Sequence, residues 1–460
     1  MASLSKAGAA LDALRDDLVG AVLAPADPGY DEARAVFDAV VDRRPAVIAQ
    51  CADATDVVRA VRFGRELDLP ISVRGGGHGL AGAARGDGSL LVDLRRMHQV
   101  SVDAAAEAVR VAGGATTGHL DRATEPYALA TTGGRVSTTG LGGLVLGGGT
   151  GWLDRAFGLA ADNLLGVELV TADAEPVHAS AEENPELFWA LHGGGGNFGI
   201  ATALTLRLHE LPEFSVVLLL YPPRSGPDAV RAFRDVAAGG PGELGGAVLY
   251  GTAPAAEFVP ERLVGTPMCA VLLTYAGGED GLRALAGPLL ALPHEVELAG
   301  DMPYADVQCM LDVPAGLRGH WSAQCLAGLP DESVDVLCGS ADGGPAPAGC
   351  GRLLFAQGGA VAAGPDAYPV PYRDAPWSAH PFALWREPAG DERATGWVRD
   401  ACAALRPWST GAVPLNLIGD EGPERVRAGL GAGNTLRLEK VKRRYDPDNV
   451  FRVNHNIRPV

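Results

Sequence analysis

A chain of 460 residues with 47% hydrophobic and 20% charged residues has the composition of a packed globular protein and the length for two cores, which sets disorder aside. Its formal net charge of −18 opposes a phosphate backbone, so nucleic acid is not an expected partner. No stretch reaches the roughly 18 uninterrupted apolar residues of a membrane helix, so no membrane partner is expected either.

The opening Met-Ala-Ser-Leu-Ser-Lys-Ala-Gly lacks the charged start, apolar run and small-residue cleavage site of a secretory signal, and a cytoplasmic location is expected. Residues 1–45 begin with Ala, Leu and Asp at helical spacing and reach a Pro/Gly-rich turn at 25–30. The pattern then alternates. Residues 46–49 read as a strand, 54–67 as an amphipathic helix capped near Asp53, and 70–74 as a strand running into glycines; 89–94 and 108–111 are further strands.

Glycine dominates from 133 to 151, where Val and Leu thread the run. Glycine is costly in conformational entropy, so this density points to a backbone that approaches something closely. A flexible linker favours Ser and polar residues instead, and a bound cofactor is the better reading. A third cluster, Gly193-Gly194-Gly195-Gly196-Asn197-Phe198-Gly199, leads into an alternating strand at 201–208. Near residue 212 the texture changes to Pro-rich turns, a loose segment at 339–351 and an aromatic cluster from 368 to 385. The expected division is therefore 1–210 with 410–460 as one domain and 211–409 as a second, whose aromatic side chains line a pocket. The basic run 440–444 reads as a solvated helix face, and the polar tail with Asn454 and Asn456 as a segment that returns to the first domain.

Seven cysteines lie at scattered spacings without a Cys-x-x-Cys pair, and ten histidines are dispersed, so reduced thiols and no metal site are expected. Gly77-His78-Gly79-Leu80-Ala81-Gly82 matches the G-x-G-x-x-G dinucleotide fingerprint in form. The residues before the next strand are too few for a crossover helix, which leaves a nest of backbone N–H groups as the use of these glycines. On residue chemistry alone His78 is a satisfied loop histidine, a base or a covalent anchor.

The order of motifs resembles the berberine-bridge-enzyme branch of the vanillyl-alcohol-oxidase (PCMH-type) flavoproteins. The stretches are Arg74-Gly75-Gly76-Gly77-His78-Gly79, Leu146-Gly147-Gly148-Gly149-Thr150-Gly151-Trp152, Asp162-Asn163, Gly194-Gly195-Gly196-Asn197-Phe198-Gly199, Tyr445-Asp446-Pro447-Asp448-Asn449-Val450-Phe451 and Asn454-His455-Asn456-Ile457. The resemblance implies an α+β, two-domain FAD-binding fold with a separate substrate domain on an antiparallel sheet flanked by helices. It implies FAD bonded to His78 through its 8α carbon. Arg74 to Gly79 and Ser137, Thr138, Thr139, Gly140 and Gly143 would hold the pyrophosphate. Leu80, Leu146, Gly147, Gly148, Gly149, Gly151 and Trp152 complete the cofactor set, with backbone from Gly199 and Ile200 and with Asn454 and Asn456 near the isoalloxazine.

Two departures matter. Relatives with a second, cysteinyl link carry the cysteine where this chain has Val136, so a single histidyl link is expected. Relatives with catalytic tyrosines carry them where this chain has Pro414 and Thr150, neither of which serves as a base. Tyr372 is the expected catalytic residue, followed by His320, His380 and Glu387. The expected activity is FAD-dependent hydride abstraction from a bulky natural product with dioxygen as acceptor. A flavin-containing cyclase or isomerase acting on a polyketide-like precursor without net oxidation is the alternative, and a non-catalytic flavin carrier the third. A homodimer is compatible with the sequence.

Overall fold

The computed structural model describes the whole chain except Met1, Leu80, residues 82–85, Ala315, residues 340–346 and Asp366, and the side chains of residues 2–7. Strands β1 (Ala21–Leu23), β2 (Val47–Gln50), β3 (Ile71–Arg74) and β4 (Leu90–Asp93) form a sheet in the order β1-β2-β4-β3. β4 is parallel to both β2 and β3, and β1 is antiparallel to β2. The helix Ala54–Glu66 joins β2 to β3 and buries Val57, Val61 and Phe63 in one cluster with Ile71, Leu90 and Val92. Asp53 caps it, accepting a hydrogen bond from Asp56 N at 3.0 Å. Asp53→Ala is expected to cost about 1 kcal/mol, read as a shift of the urea midpoint at unchanged slope.

β5 (Val100–Asp103), β6 (Ala108–Ala112), β8 (Leu164–Val170), β9 (Pro176–Ser180) and β10 (Ile200–Arg207) form an antiparallel sheet ordered β5-β6-β10-β8-β9, and β7 (Leu129–Ala130) pairs with β11 (His209–Glu210). β5 and the helix Thr117–Thr124 are elements the sequence reading does not contain.

The third sheet has eight antiparallel strands: β12 (Ser215–Tyr221), β13 (Leu244–Thr252), β14 (Pro267–Tyr275), β15 (Val296–Asp301), β16 (Arg318–Trp321), β17 (Gln324–Leu326), β18 (Cys350–Ala356) and β19 (Trp377–Trp385). β12 is apolar throughout because both of its faces are covered. Val217, Leu219 and Tyr221 join a cluster with Val230 and Phe233 of helix Gly226–Gly239 and Leu282 of helix Glu279–Leu290. Val216, Leu218 and Leu220 alternate to the other face and pack with Trp152 and Leu153. This α+β arrangement, with a helix-flanked antiparallel sheet, is the class the sequence implies, and it sets the glycine loops against one sheet face.

β3 and β4 pair in parallel with Ile71 opposite Leu90; residues 80 and 82–85 of the connection between them, where the sequence reading expects no crossover helix, lie outside the described residues. One expectation changes in part: the basic run faces solvent at Lys440, Arg443 and Arg444 but not at Lys442. Lys442 is fully buried and donates to Asp446 at 2.6 Å and to the carbonyls of Asn197 (2.8 Å) and Phe451 (2.9 Å). A buried ammonium persists only when its donors are satisfied, and here three acceptors surround it.

Candidate active site

β3 ends at Arg74, whose buried guanidinium donates to Asp93 (2.6 Å) and to the carbonyls of Ala35 (2.9 Å) and Ala33. The expectation that Arg74 holds a pyrophosphate therefore does not extend to its side chain. Beyond it the two glycine loops interlock. A Cβ on Gly76 would strike the backbone of Gly140 and Thr138, and one on Gly140 would strike Gly76 in return. Only glycine permits this approach, and it fixes residues 75–79 beside 137–143. Gly79 and Gly143 have nothing within 4 Å of where a Cβ would stand. A cradle with open glycines at its lip and backbone-only contact at its base fits a pyrophosphate.

His78 stands at that lip, half-buried. Its Nε2 shares a 2.8 Å hydrogen bond with Thr138 Oγ1, and its ring stacks on Phe37 with centroids 4.1 Å apart. Burial pulls its pKa down to about 4, against a weaker opposing pull from Asp312. The imidazole is neutral at pH 7 and keeps its lone pair. Asp312 itself accepts from the N–H (2.8 Å) and hydroxyl of Ser137, and Thr139 O accepts from Thr117 N at 2.9 Å, so the second loop is fixed from both sides.

The loop from Leu146 to Trp152 is pinned from elsewhere. Asn416, two residues after Pro414, donates to Leu144 O at 2.9 Å and packs against Gly147. Gly148, with φ 100°, faces the hydroxyl of Tyr372. A Cβ on Gly151 would strike Gly133 O, so this loop touches the start of the glycine run. Tyr372 is buried among Leu159, Cys325, Val361 and Val370, and its hydroxyl has no hydrogen-bond partner. Burial pushes the phenol's pKa far above its ordinary value, which disfavours loss of its proton.

Opposite lies the sheet. Arg135, from the glycine loop, stacks over Phe355 of β18 at 3.9 Å and donates to Thr150 Oγ1 (2.7 Å) and Asp154 Oδ2 (2.9 Å). The Phe355 ring lies 4.9 Å from that of His380 on β19, and His380 Nε2 shares a 2.7 Å hydrogen bond with Ser378. Burial, helped by the charge of Arg135, lowers the His380 pKa to about 3. Trp152 stands edge-on to Phe355 at 6.0 Å. Gln308 donates to Gly134 O at 2.6 Å. Among this group Arg135 Nε, Trp152 Nε1, Tyr304 Oη and Gln308 Oε1 are buried without partners. Such a concentration of orphaned polar atoms in one buried cluster is unusual for a packed interior.

The remaining members close the assembly. Asn197 donates to Gly194 O (2.7 Å) and His455 O (3.1 Å) and accepts from Ile457 N (2.9 Å), while Asn454 donates to Gly196 O (3.3 Å). The C-terminal tail is thereby bound to the third glycine cluster. Asn456 Oδ1 is buried without a partner, and Ile200 is core, so any contribution from Ile200 to a ligand is through its backbone. Glu387 is exposed beyond β19, and His320 lies one residue from Trp321 on the opposite face of β16. Leu80 lies outside the described residues. Arg135, Asp154, Phe355 and Gln308 are site residues that sequence reasoning missed; the one signal was a lone Arg inside an apolar glycine run.

His78 and His380, together with the buried His192, whose pKa burial also lowers to about 4, carry a shared consequence. Unfolded histidines bind protons near pH 6.5, whereas these three do so only near 4 or below. The unfolded chain takes up more protons between those values, so stability is full above about pH 6.5 and falls on acidification toward pH 4. Thermal unfolding followed from pH 7.5 to 4.5 is expected to show this decline, with a shallower slope for His192→Asn.

Interlocked glycine loops on one domain, closed by a helix-backed antiparallel sheet, define an FAD-binding oxidoreductase of the PCMH type. Residues 45–180 match the "FAD binding domain" family model and residues 422–458 the "Berberine and berberine like" model. The chain is 31% identical over 460 residues to (R)-6-hydroxynicotine oxidase of Paenarthrobacter nicotinovorans, covering 96% of this chain and 97% of that one. The crystal structure of 6-hydroxy-D-nicotine oxidase from Arthrobacter nicotinovorans superposes with a TM-score of 0.85 at 30% identity, covering 96% and 99% of the two chains. A moss berberine-bridge-enzyme-like protein from Physcomitrella patens shares the fold with a TM-score of 0.87 at 22% identity, covering 98% of this chain and 99% of that one. The chain belongs to the berberine-bridge-enzyme-like family of FAD-linked oxidoreductases.

Proposed function

We propose that this chain carries FAD on His78 as its single covalent link and oxidises a bulky organic molecule at a carbon bearing oxygen or nitrogen, with dioxygen as the final acceptor. The observation that carries this reading is a neutral, half-buried imidazole at the lip of a glycine cradle closed by backbone contact between Gly76 and Gly140. FAD, when bound, supplies the hydride acceptor. The chain supplies the rest. Gly75 to Gly79 and Ser137 to Gly143 hold the pyrophosphate by backbone, and Thr138 orients His78. Trp152, Phe355 and the apolar sheet face exclude water from the site. His380 and Ser378 are the polar groups that face the substrate, and Tyr372 shapes the Gly147–Gly149 loop instead of moving a proton.

Relatives named as oxidases support the dioxygen step: (R)-6-hydroxynicotine oxidase, and glucooligosaccharide oxidase of Sarocladium strictum, 40% identical over 192 residues covering 40% of this chain and 38% of that one. The test is anaerobic titration of the purified yellow protein with candidate natural products. Bleaching near 450 nm that returns on admitting air, with formation of hydrogen peroxide, is expected. A bound flavin that no alcohol, amine or enol bleaches, alongside turnover to an isomer of equal mass, contradicts it.

A further inference from the structure

Two contacts restrain the ring of His78, the hydrogen bond to Thr138 and the stack on Phe37. Both are backed by the stretch that leads into and forms β16, at the end of the eight-stranded sheet. Behind the first contact is Asp312, which accepts from the N–H (2.8 Å) and the hydroxyl of Ser137, the neighbour of Thr138. Behind the second is a strap, residues 35–41, which follows the helix Tyr30–Arg34 and carries the half-buried Phe37.

The strap is fastened to both sides of the site. Toward the glycine loop, Ala35 O accepts from Arg74 (2.9 Å) and Phe37 N donates to Gly77 O (3.4 Å). Toward the sheet, the buried carboxyl of Asp38 accepts from Gly319 N (2.9 Å) and Ala39 N donates to Leu317 O (3.0 Å). Ala39 O accepts from Arg318 at 3.2 Å, and Trp321 stands edge-on to the Phe37 ring at 6.4 Å. The two restraints on His78 are also different in kind. A hydrogen bond to one ring nitrogen sets the direction of the imidazole but leaves it free to turn about the bond. A flat partner with its centroid 4.1 Å away and its plane inclined by 22° removes that turn. Bond formation at a ring nitrogen needs both, because the lone pair must point at the carbon it attacks.

Resting on the flavin link read above, we propose that Phe37 is a positioning residue for that link and holds the plane of the His78 imidazole. Asp312 and residues 317–319 set both restraints, so attachment requires the eight-stranded sheet to be seated on the glycine loops. Attachment replaces one imidazole N–H and one 8α C–H with an N–C bond; the two electrons and two protons released pass by way of the flavin to dioxygen, which leaves as hydrogen peroxide.

The test follows attachment in the full-length chain, expressed under riboflavin limitation and then incubated in air with FAD. Covalent flavin is read over time from the absorbance of the acid-precipitated protein, and rates are compared at saturating FAD, which removes differences in affinity. Phe37→Leu keeps the apolar bulk without a flat face, whereas Phe37→Tyr keeps the face. Phe37→Leu is expected to attach FAD about tenfold or more slowly than the wild type, and Phe37→Tyr at close to the wild-type rate. Asp312→Ala, a change at an exposed residue bonded to Ser137, is expected to slow attachment as well. Phe37→Leu at the wild-type rate, or Phe37→Tyr as slow as Phe37→Leu, overturns the role of Phe37; Asp312→Ala at the wild-type rate overturns the role of the sheet. A wild-type chain that gains no covalent flavin at all fails the parent reading instead.

Discussion

Replacing His78 with alanine is expected to leave the acid-precipitated protein colourless, with all of its flavin in the supernatant. Attachment to the cofactor's carbon needs a nitrogen lone pair held still at the mouth of the cradle. His78 has both properties: its pKa near 4 keeps it unprotonated at physiological pH, and Thr138 and Phe37 restrain its ring. No second nucleophile takes over. The loop position where a cysteine would reach the cofactor is Val136, and Cys325, the cysteine on the sheet side of the site, is buried with its thiol pushed up to about 12. His78→Ala leaves the interlock of Gly76 with Gly140 intact, so the variant is expected to fold and to bind FAD reversibly. Covalent flavin should fall from full occupancy to none, measured by absorbance of the precipitate redissolved in denaturant.

The largest stability effect is expected at Lys442. Its ammonium is enclosed by Asp446, Asn197 O and Phe451 O, and Asp446 in turn accepts from Val450 N (2.7 Å) and Phe451 N (2.9 Å). Lys442→Met removes the charge and strands the carboxylate in a dry site, at a cost of about 3–5 kcal/mol. The same change frees the carbonyls of Asn197 and Phe451, which tie the third glycine cluster to the C-terminal tail. Urea unfolding is expected to show the full loss, and limited proteolysis to show early cleavage after residue 446. An unchanged midpoint would mean that the pair contributes nothing beyond a hydrophobic substitute.

The approach of the glycine loops to one another was readable from residue order. Strand, Gly-Gly-Gly-His-Gly, then a second glycine run with Ser137 and Thr138 is a dense and ordered signal, and the fold brings those stretches together. The sheet side of the site was not readable. Arg135 meets Phe355 and His380 only through the stacking of an eight-stranded sheet whose strands are far away in sequence, and no spacing rule carries that information. Tyr372 drew attention as a phenol in an aromatic stretch, yet its hydroxyl is sealed against Gly148. Lys442 hid inside a basic run whose composition suggests solvent; the visible clue was Asp446 one helical turn on, a pairing that suits burial as well as exposure. The helix Thr117–Thr124 begins Thr-Gly, which weakens its propensity, and it is held instead by a capping box between Thr116 and His119.

Attachment of FAD to one imidazole is the claim from which the chemistry proposed here follows. Intact-mass measurement of the denatured wild-type chain, followed by peptide mapping, tests it most directly. One added FAD on the peptide containing His78 is the expected result, with Cys325 and every other cysteine unmodified. A denatured chain of unmodified mass, with the flavin free in solution, or a flavin found on any other residue, contradicts it.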